Sequence, residues 1–429
     1  MQKIGNNIDF NFWRIVSSII KSGSYYFFSN ILLAVTAFVF WIFIAKRFSP
    51  DNYGQVRTIY AIVAIISALM QFGLPTYNQL IFSSNSNKEY SNEYGKIVSL
   101  KIILIVIYFI IVVGYFLIDN RQYNVVYIAV IIIIFLLEDI VRFLAGIFYG
   151  RNDFNIVFKS SFISRLILFF LTVVIFIADY KLSYYLFILF VANLVQFSIL
   201  VSNKKYQKII FHIPKLNLSK MKSLFLIIFP LGLNNIFNLA YDKIDLPLIS
   251  YYIDFQHVAQ YSIAYSIYTL SGTVFGILLI PAFNYFSNNN LYLYKKKLFN
   301  RTALLIILCS FFIIGCFYFL GKPLIILLLG TKYLTAAELL PYFSLSIIFW
   351  GLNSLCGIYL NAQSHFKVTM YAVIAGFAAN VIIDVITLPY LGIIGGVIAT
   401  TSTMLIVLII EMFFILKFIR AENENSARG

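Results

Sequence analysis

Glu138, Asp139 and Arg142 interrupt an otherwise apolar run, Val125 to Phe148. On a helix the two acids lie four and three residues ahead of the arginine, so both can pair with it along one face. An ionisable group at bilayer depth is costly unless it has a partner or faces water. The triplet therefore reads either as a self-neutralised structural cluster or as a gated, protonatable group on a transport path. A second constellation follows Pro230, where Asn234, Asn238 and Asp242 recur every four residues, with Asn235, Lys243 and Asp245 beside them. Side-chain amides on one helix face either hydrogen-bond a polar cargo or bind helix to helix. Milder polar groups are Ser29, Asn30 and Thr36, then Gln71, Thr76, Asn78 and Gln79, and Gln260 with Ser262, Ser266, Thr269 and Thr273.

Arg57, with Lys46 and Arg47 nearby, reads either as an attractor for an anionic group or as an interfacial anchor. Arg165, Asp384 and Glu411 are lone charges expected to pair structurally, Arg165 with Glu138 or Asp139. If an ion or proton drives the chemistry, Glu138, Asp139, Asp242 and Asp384 are the candidates. No metal site is expected. His212, His257 and His365 are not spaced as ligands, and Cys309, Cys316 and Cys356 lie in apolar segments as small hydrophobes. A GxxxxGK[ST] loop is absent, so ATP hydrolysis is not expected.

These residues must be positioned by membrane helices. Of the 429 residues, 61% are hydrophobic and 11% charged, less than half the charge of a soluble protein. Mean hydropathy is +0.88. Spanning hydrocarbon takes roughly 20 apolar residues whose backbone groups are satisfied within the segment. Six such stretches run from Ser24 to Ala45, Ile59 to Phe82, Ile97 to Ile118, Val125 to Phe148, Ile156 to Ile177 and Leu182 to Val201. Six more run from Leu224 to Ile249, Val258 to Phe286, Ala303 to Leu329, Ala336 to Leu360, Val368 to Leu388 and Ile393 to Leu416. The ninth could end early at Gly321-Lys322-Pro323. The net charge of +15 does not indicate nucleic acid, because the bases sit mostly in short loops. Of the 32 Lys and Arg, 22 fall on the chain ends and even-numbered loops and 7 on the odd-numbered loops. That asymmetry places both termini in the cytoplasm. No cleaved signal peptide is expected, and the first span reads as an uncleaved insertion signal.

The two sets of six repeat each other. A shift of 205 residues lays Ser29-Asn30-Ile31 on Asn234-Asn235-Ile236, Gln55 on Gln260 and Tyr60 on Tyr265. A shift of 206 lays Leu74-Pro75-Thr76-Tyr77-Asn78 on Ile280-Pro281-Ala282-Phe283-Asn284. Gly146-Ile147-Phe148 similarly meets Gly357-Ile358-Tyr359. Six is even, so the halves enter the membrane in the same sense. The expected architecture is an all-α integral membrane protein with about twelve spans in two parallel six-helix lobes around a central cavity. Its segments are 1–23 (cytoplasmic, read as an interfacial helix or an ordinary helix start), 24–201 (first lobe), 202–223 (basic linker), 224–418 (second lobe) and 419–429 (a cytoplasmic tail, disordered from Ala421).

Several motifs carry a family resemblance. They are Phe48-Ser49-Pro50-Asp51-Asn52-Tyr53-Gly54, Leu329-Gly330-Thr331-Lys332-Tyr333 with Ala336-Ala337, and Asn380 followed by Pro389-Tyr390-Leu391-Gly392 and Gly395-Gly396. In these the chain resembles the multidrug/oligosaccharidyl-lipid/polysaccharide exporter superfamily, and within it the O-antigen (Wzx-type) flippases of bacteria. The resemblance covers nearly the whole chain on loose motifs and carries over no fixed catalytic residue. It implies translocation of a polyprenyl-pyrophosphate-linked oligosaccharide across the bacterial inner membrane for surface polysaccharide synthesis. It also implies membrane lipids as surroundings, and a polymerase and chain-length regulator as partners. Cavity bases for an anionic head would be Arg57, Arg142 and Lys243, with Asn30, Asn234, Asn235, Asn238 and Gln260 for sugar hydroxyls. No cofactor is implied beyond a coupling ion, H+ or Na+. The rival readings are an ion-coupled drug exporter of the same superfamily, a teichoic or capsule-unit exporter, and a membrane polymerase. The last would need a large outer loop, and the outer loops here are short.

Overall fold

The computed structural model describes residues 32–84, 90–210, 218–287 and 292–428. The expected interfacial helix before the first span, and Asn30, lie outside them. All regular structure among the described residues is helical. A first helix, α1, covers 32–47. It is followed by α2 (Pro50–Gln71), α3 (Leu74–Ser84), α4 (Tyr90–Ile118), α5 (Val125–Gly150), α6 (Phe154–Ile177) and α7 (Leu182–Val201). A short α8 (Gln207–Ile210) leads to α9 (Leu218–Lys243), α10 (Asp245–Tyr252), α11 (Phe255–Ser287), α12 (Tyr292–Phe319) and α13 (Gly321–Leu329). The chain ends with α14 (Leu334–Leu339), α15 (Ser344–Ala362), α16 (Phe366–Leu391) and α17 (Ile393–Arg428). The twelve expected spans, the first from residue 32 onward, fall on these helices in order. Among the described residues, 9 helical stretches have the length and apolarity to cross a bilayer. Helix α5 is as long, but Glu138, Asp139 and Arg142 interrupt it. Outward-facing Leu117, Ile118, Ile177, Phe312, Phe319 and Leu327 are 74–81% exposed. Such apolar exposure is stable only against hydrocarbon.

Local chemistry explains the helix ends. Ser49 caps α2, its hydroxyl accepting from Asn52 N at 3.3 Å, and Pro50 fills the first turn, where no N–H is needed. Asn124 caps α5 through Val126 N at 2.9 Å. Four spans are broken, the tenth by a tighter helical turn, Leu340–Phe343, between α14 and α15. Phe72 and Gly73, with φ of 32° and 72°, separate α2 from α3. A Cβ at Gly73 would lie 2.7 Å from Leu231 Cβ, so both conformation and contact require glycine there. Ile244 separates α9 from α10, where Pro247 cannot donate to the Lys243 carbonyl. Leu320 separates α12 from α13, at the position where Gly321-Lys322-Pro323 marked a possible end. The tail from Ala421, expected to be disordered, is instead helix to Arg428. Its Ala, Glu and Arg residues favour helix, and no Gly or Pro precedes Gly429.

The repeat is visible in the hydrogen bonds. In the first half, Gln55 donates to Gln122 O at 2.9 Å and accepts from Asn124 N at 3.3 Å. Its repeat mate Gln260 donates to Lys332 O at 2.7 Å and accepts from Ala336 N at 3.0 Å. Each amide clasps the backbone that leads into the fourth span of its own half. The expected cargo-binding role of Gln260 is thereby corrected: both ends of its amide are spent on backbone.

The halves are clamped together at the end carrying the odd-numbered loops. There α2 meets α11 so closely that a Cβ on Gly54 would lie 1.7 Å from Phe255 O. Lys332 Nζ reaches back to Lys46 O and Phe48 O, at 2.8 and 2.9 Å, and caps the end of α1. Tyr123 packs on Phe255 and Tyr53 on Tyr333. Arg121 bonds Ser250 Oγ across the halves while pairing with Asp119. Burial pushes the Asp119 carboxyl up, but hydrogen bonds from Arg121 outweigh it and hold the group below the usual carboxylate range.

Candidate functional site

A cavity of about 650 Å³ opens within the bundle, walled by α1, α2, α3, α5, α6, α7 and, from the second half, α9. It reaches Gln79 and Tyr149, close to the even-numbered loops and away from the clamp. Arg142 projects into it with 52% of its side chain exposed, its Nη2 3.5 Å from Glu138 Oε2, whose side chain is 13% exposed. Asn193 Nδ2 donates to the other oxygen of Glu138 at 3.3 Å. Arg165 enters from α6, and its Nε has no hydrogen-bond partner among the described residues. The expected pairing of Arg165 with Glu138 or Asp139 does not form. Gln196 Nε2 donates to Ser161 Oγ at 3.0 Å in the same wall.

The opposite wall is the amide ladder of α9. Asn234, Asn235 and Asn238 all line the cavity. Asn238 Nδ2 donates to Asn234 O at 2.8 Å and to its Oδ1 at 3.1 Å. Asn235 Nδ2 donates to Gln71 Oε1 at 3.2 Å, so this wall is stitched to the first half beside the α2–α3 break. The site thus offers many amides, two guanidinium groups and one carboxylate, which suits a large hydroxyl-rich ligand with an anionic part.

Other expected site residues lie elsewhere. Arg57 stacks over the Trp41 ring with its Cζ 4.7 Å from the centroid, and only 8% of the residue is exposed. Lys243 is 2.7 Å from Asp242, which also accepts from Tyr265 OH at 2.7 Å. Neither base lines the cavity; an aromatic face or a carboxylate already engages each. Asp139 does not share Arg142 with Glu138. Adjacent helical residues point about 100° apart, so Asp139 turns toward α4 and pairs with Lys101. Lys101 is 4% exposed and also donates to Met70 O at 2.8 Å, near the α2–α3 break.

The second half holds a separate acidic cluster. Asp245 is 5% exposed, and Asp384 is fully buried. Thr400 Oγ1 donates to Asp245 Oδ2 at 3.0 Å, and Tyr261 OH bonds the same oxygen. Asp384 and Asn380 are Asp245's other side-chain neighbours. Asp245 Oδ1, both Asp384 oxygens and Asn380 Oδ1 have no hydrogen-bond partner among the described residues. Two carboxylates facing each other with orphaned oxygens and no base invite a hard cation or a proton. It is Asp245, rather than Asp242, that joins Asp384. Among the described residues no three His, Cys, Asp or Glu side chains cluster, so a transition-metal centre is not indicated.

A family described as polysaccharide biosynthesis protein matches residues 19–289. A stretch of 141 residues, 33% of the chain, is 29% identical to an uncharacterised membrane protein, MJ1375, of Methanocaldococcus jannaschii. That match spans 32% of the relative's length. The fold is similar to an inward-facing multidrug resistance MATE family transporter of the MOP superfamily (TM-score 0.71, 11% identity, 91% of this chain and 99% of that one). It is also similar to the lipid II flippase MurJ in an inward closed conformation (TM-score 0.67, 18% identity, 92% and 87%).

Proposed function

The chain belongs to the polysaccharide biosynthesis protein family, and from that premise we propose that it is a flippase for a lipid-linked oligosaccharide. Its cargo would be a sugar unit on a polyprenyl pyrophosphate, carried from the cytoplasmic to the outer leaflet of a bacterial inner membrane for O-antigen or a related surface polysaccharide. The observation that carries this reading is the cavity itself. It sets amides and two arginines against one carboxylate inside a membrane bundle, and is large enough for a pyrophosphate with its first sugars. The amides of α7 and α9 suit sugar hydroxyls, and the forks of Arg142 and Arg165 suit a pyrophosphate, which accepts bidentate hydrogen bonds. The lipid tail stays in hydrocarbon while the head crosses between the halves. A cation-selecting drug site would favour the opposite charge balance.

The positive-inside asymmetry assigns the clamp to the outer face and both termini to the cytoplasm. The structure is then closed outside, with its cavity reaching toward the cytoplasm. Transport follows by rocking one half against the other, which breaks the α2–α11 contact. We assign the Asp245–Asp384 cluster to the coupling ion, H+ or Na+, whose binding relieves repulsion between two buried carboxylates.

The test is reconstitution of the full chain in liposomes with a fluorescent polyprenyl-pyrophosphate disaccharide, scored by protection of the dye from a membrane-impermeant quencher. Wild type moves the dye between leaflets. Arg142→Gln and Arg165→Gln slow it by about tenfold or more, from the loss of charge-assisted contacts. Asp384→Asn removes the acceleration given by an imposed H+ or Na+ gradient. Undiminished flipping in both arginine variants would refute the assignment of the head group to this cavity.

A further inference from the structure

Glu138 is out of character in this cavity. It is the only acid among the described residues lining it, and a carboxylate there repels a pyrophosphate. The groups around it are Arg142 on its own helix, Asn193 on α7, Tyr60 on α2 and, in the same cavity, Arg165 on α6. Its hold on Arg142 is loose. The closest approach is 3.5 Å, beyond a good charge-assisted hydrogen bond. Arg142 is half exposed to the cavity, so most of its fork is open to an incoming ligand. The hold of Asn193 on Glu138 is independent of the arginine, because it uses Oε1 while Arg142 lies near Oε2. Asn193 is 2% exposed and fixed in the wall.

We propose that Glu138 is a built-in counter-ion that occupies Arg142 in the empty cavity and yields it to the phosphate of the cargo. The inference rests on the flippase reading and deepens it, since loading becomes an exchange of anions. A phosphate offers Arg142 two oxygens in place of one distant one, and Glu138 falls back on Asn193. When the phosphate leaves, Glu138 returns to the guanidinium. Release is therefore assisted by an anion the protein already owns. A transporter needs this, because a site that binds its cargo too well cannot let it go. The spacing is part of the device: at i and i+4 the two side chains meet without a change in backbone.

Titration of inorganic pyrophosphate into the purified full-length protein in nanodiscs, followed by calorimetry, tests the exchange. Wild type binds pyrophosphate. Glu138→Gln keeps the Asn193 contact and removes the competitor, so it binds about three- to tenfold tighter and flips the lipid-linked cargo more slowly. Glu138→Asp, whose shorter side chain withdraws from Arg142 but keeps its charge, falls between the two. Arg142→Gln binds weakly, and Glu138→Gln improves binding clearly less in the Arg142→Gln background than in wild type. Wild-type binding with no gain in Glu138→Gln overturns the counter-ion and leaves the flippase reading standing. A gain that is undiminished in the Arg142→Gln background also overturns it, because relief of simple repulsion by Glu138 would then account for all of it. Absence of pyrophosphate binding in wild type and Glu138→Gln alike overturns both.

Discussion

Gly54→Ala separates the two halves at the clamp. A Cβ added there would lie 1.7 Å from Phe255 O, 2.6 Å from Phe255 C and 3.2 Å from Ala259 N. All three are backbone atoms of α11, so no side chain can turn aside. Ordinary contact begins near 3.4 Å, and α2 and α11 must move apart by about 1.7 Å. Overpacking of this kind costs about 1–3 kcal/mol. Here the cost falls on the clamped state and not on an open one, so the population shifts toward open by about five- to 150-fold. Ser262, fully buried on α11, reports the change. In a background with Cys309, Cys316 and Cys356 replaced, Ser262→Cys is labelled by a soluble maleimide in nanodiscs, which expose both faces. The labelling rate rises with the open population, so Gly54→Ala accelerates it at least fivefold while the protein still elutes as a single folded species. An unchanged labelling rate, with unchanged thermal stability, would refute the reasoning, because it would mean that the contact is not what closes this end.

The repeat-related clasps differ in exposure. Gln260→Ala orphans a part-buried carbonyl and a buried N–H, costs about 1–3 kcal/mol, and lowers the thermal midpoint in a melting assay without changing pyrophosphate affinity, whereas Gln55→Ala, whose two bonds are exposed to water, lowers it less; a large affinity loss in Gln260→Ala would restore it to the cargo site. Lys101→Met leaves Asp139 buried without its partner and costs about 3–5 kcal/mol. Lys101→Met/Asp139→Leu recovers most of that loss in the same melting assay. The clamp has a defined pH response. Asp119 is held below the usual carboxylate range by Arg121, so its contribution is fully present above that range and is lost as pH falls through the depressed value. Labelling of Ser262→Cys, divided at each pH by that of a freely exposed cysteine because thiolate content rises with pH, is therefore flat between about pH 5 and 8, whereas Asp119→Asn raises it throughout.

What the sequence made legible was whatever leaves a mark along one helix. The spans, their order and their repeat follow from apolar runs and short loops. The Asn234, Asn235 and Asn238 face follows from four-residue spacing, and Glu138 with Arg142 from the same rule. What escaped depends on which helix lies next door. Asp139 looked equivalent to Glu138 because the two are neighbours in sequence, yet one helical step turns it toward Lys101, some 38 residues earlier. Asp245 and Asp384 are 139 residues apart, and nothing local to either says they meet. Gln260 and the cavity amides share a residue type, and only the partner atoms tell a clasp from a binding group. Lys101 sits near a span end, where a lysine ordinarily anchors in headgroups. Its burial is set by the Phe72–Gly73 break, which frees Met70 O to receive it.

The two halves repeat in backbone and differ in chemistry, and this asymmetry bears on how they work together. The cavity arginines and Glu138 belong to the first half, whereas the acids without a base, Asp245 and Asp384, belong to the second. One continuous segment touches both. Helix α9 supplies the amide ladder through Asn238, and seven residues later, across the Ile244 break, α10 begins with Asp245. Neutralising or filling the acidic cluster removes a repulsion that bears directly on the first turn of α10. Ile244 has no side-chain cap, and Pro247 removes one backbone hydrogen bond beyond it, so the break is the softest point in the segment. A change of angle there moves the ladder relative to Gln71, whose amide ties α9 to the α2–α3 break. The amide wall and the acidic cluster thus need no long relay between them, because they are two ends of one broken helix.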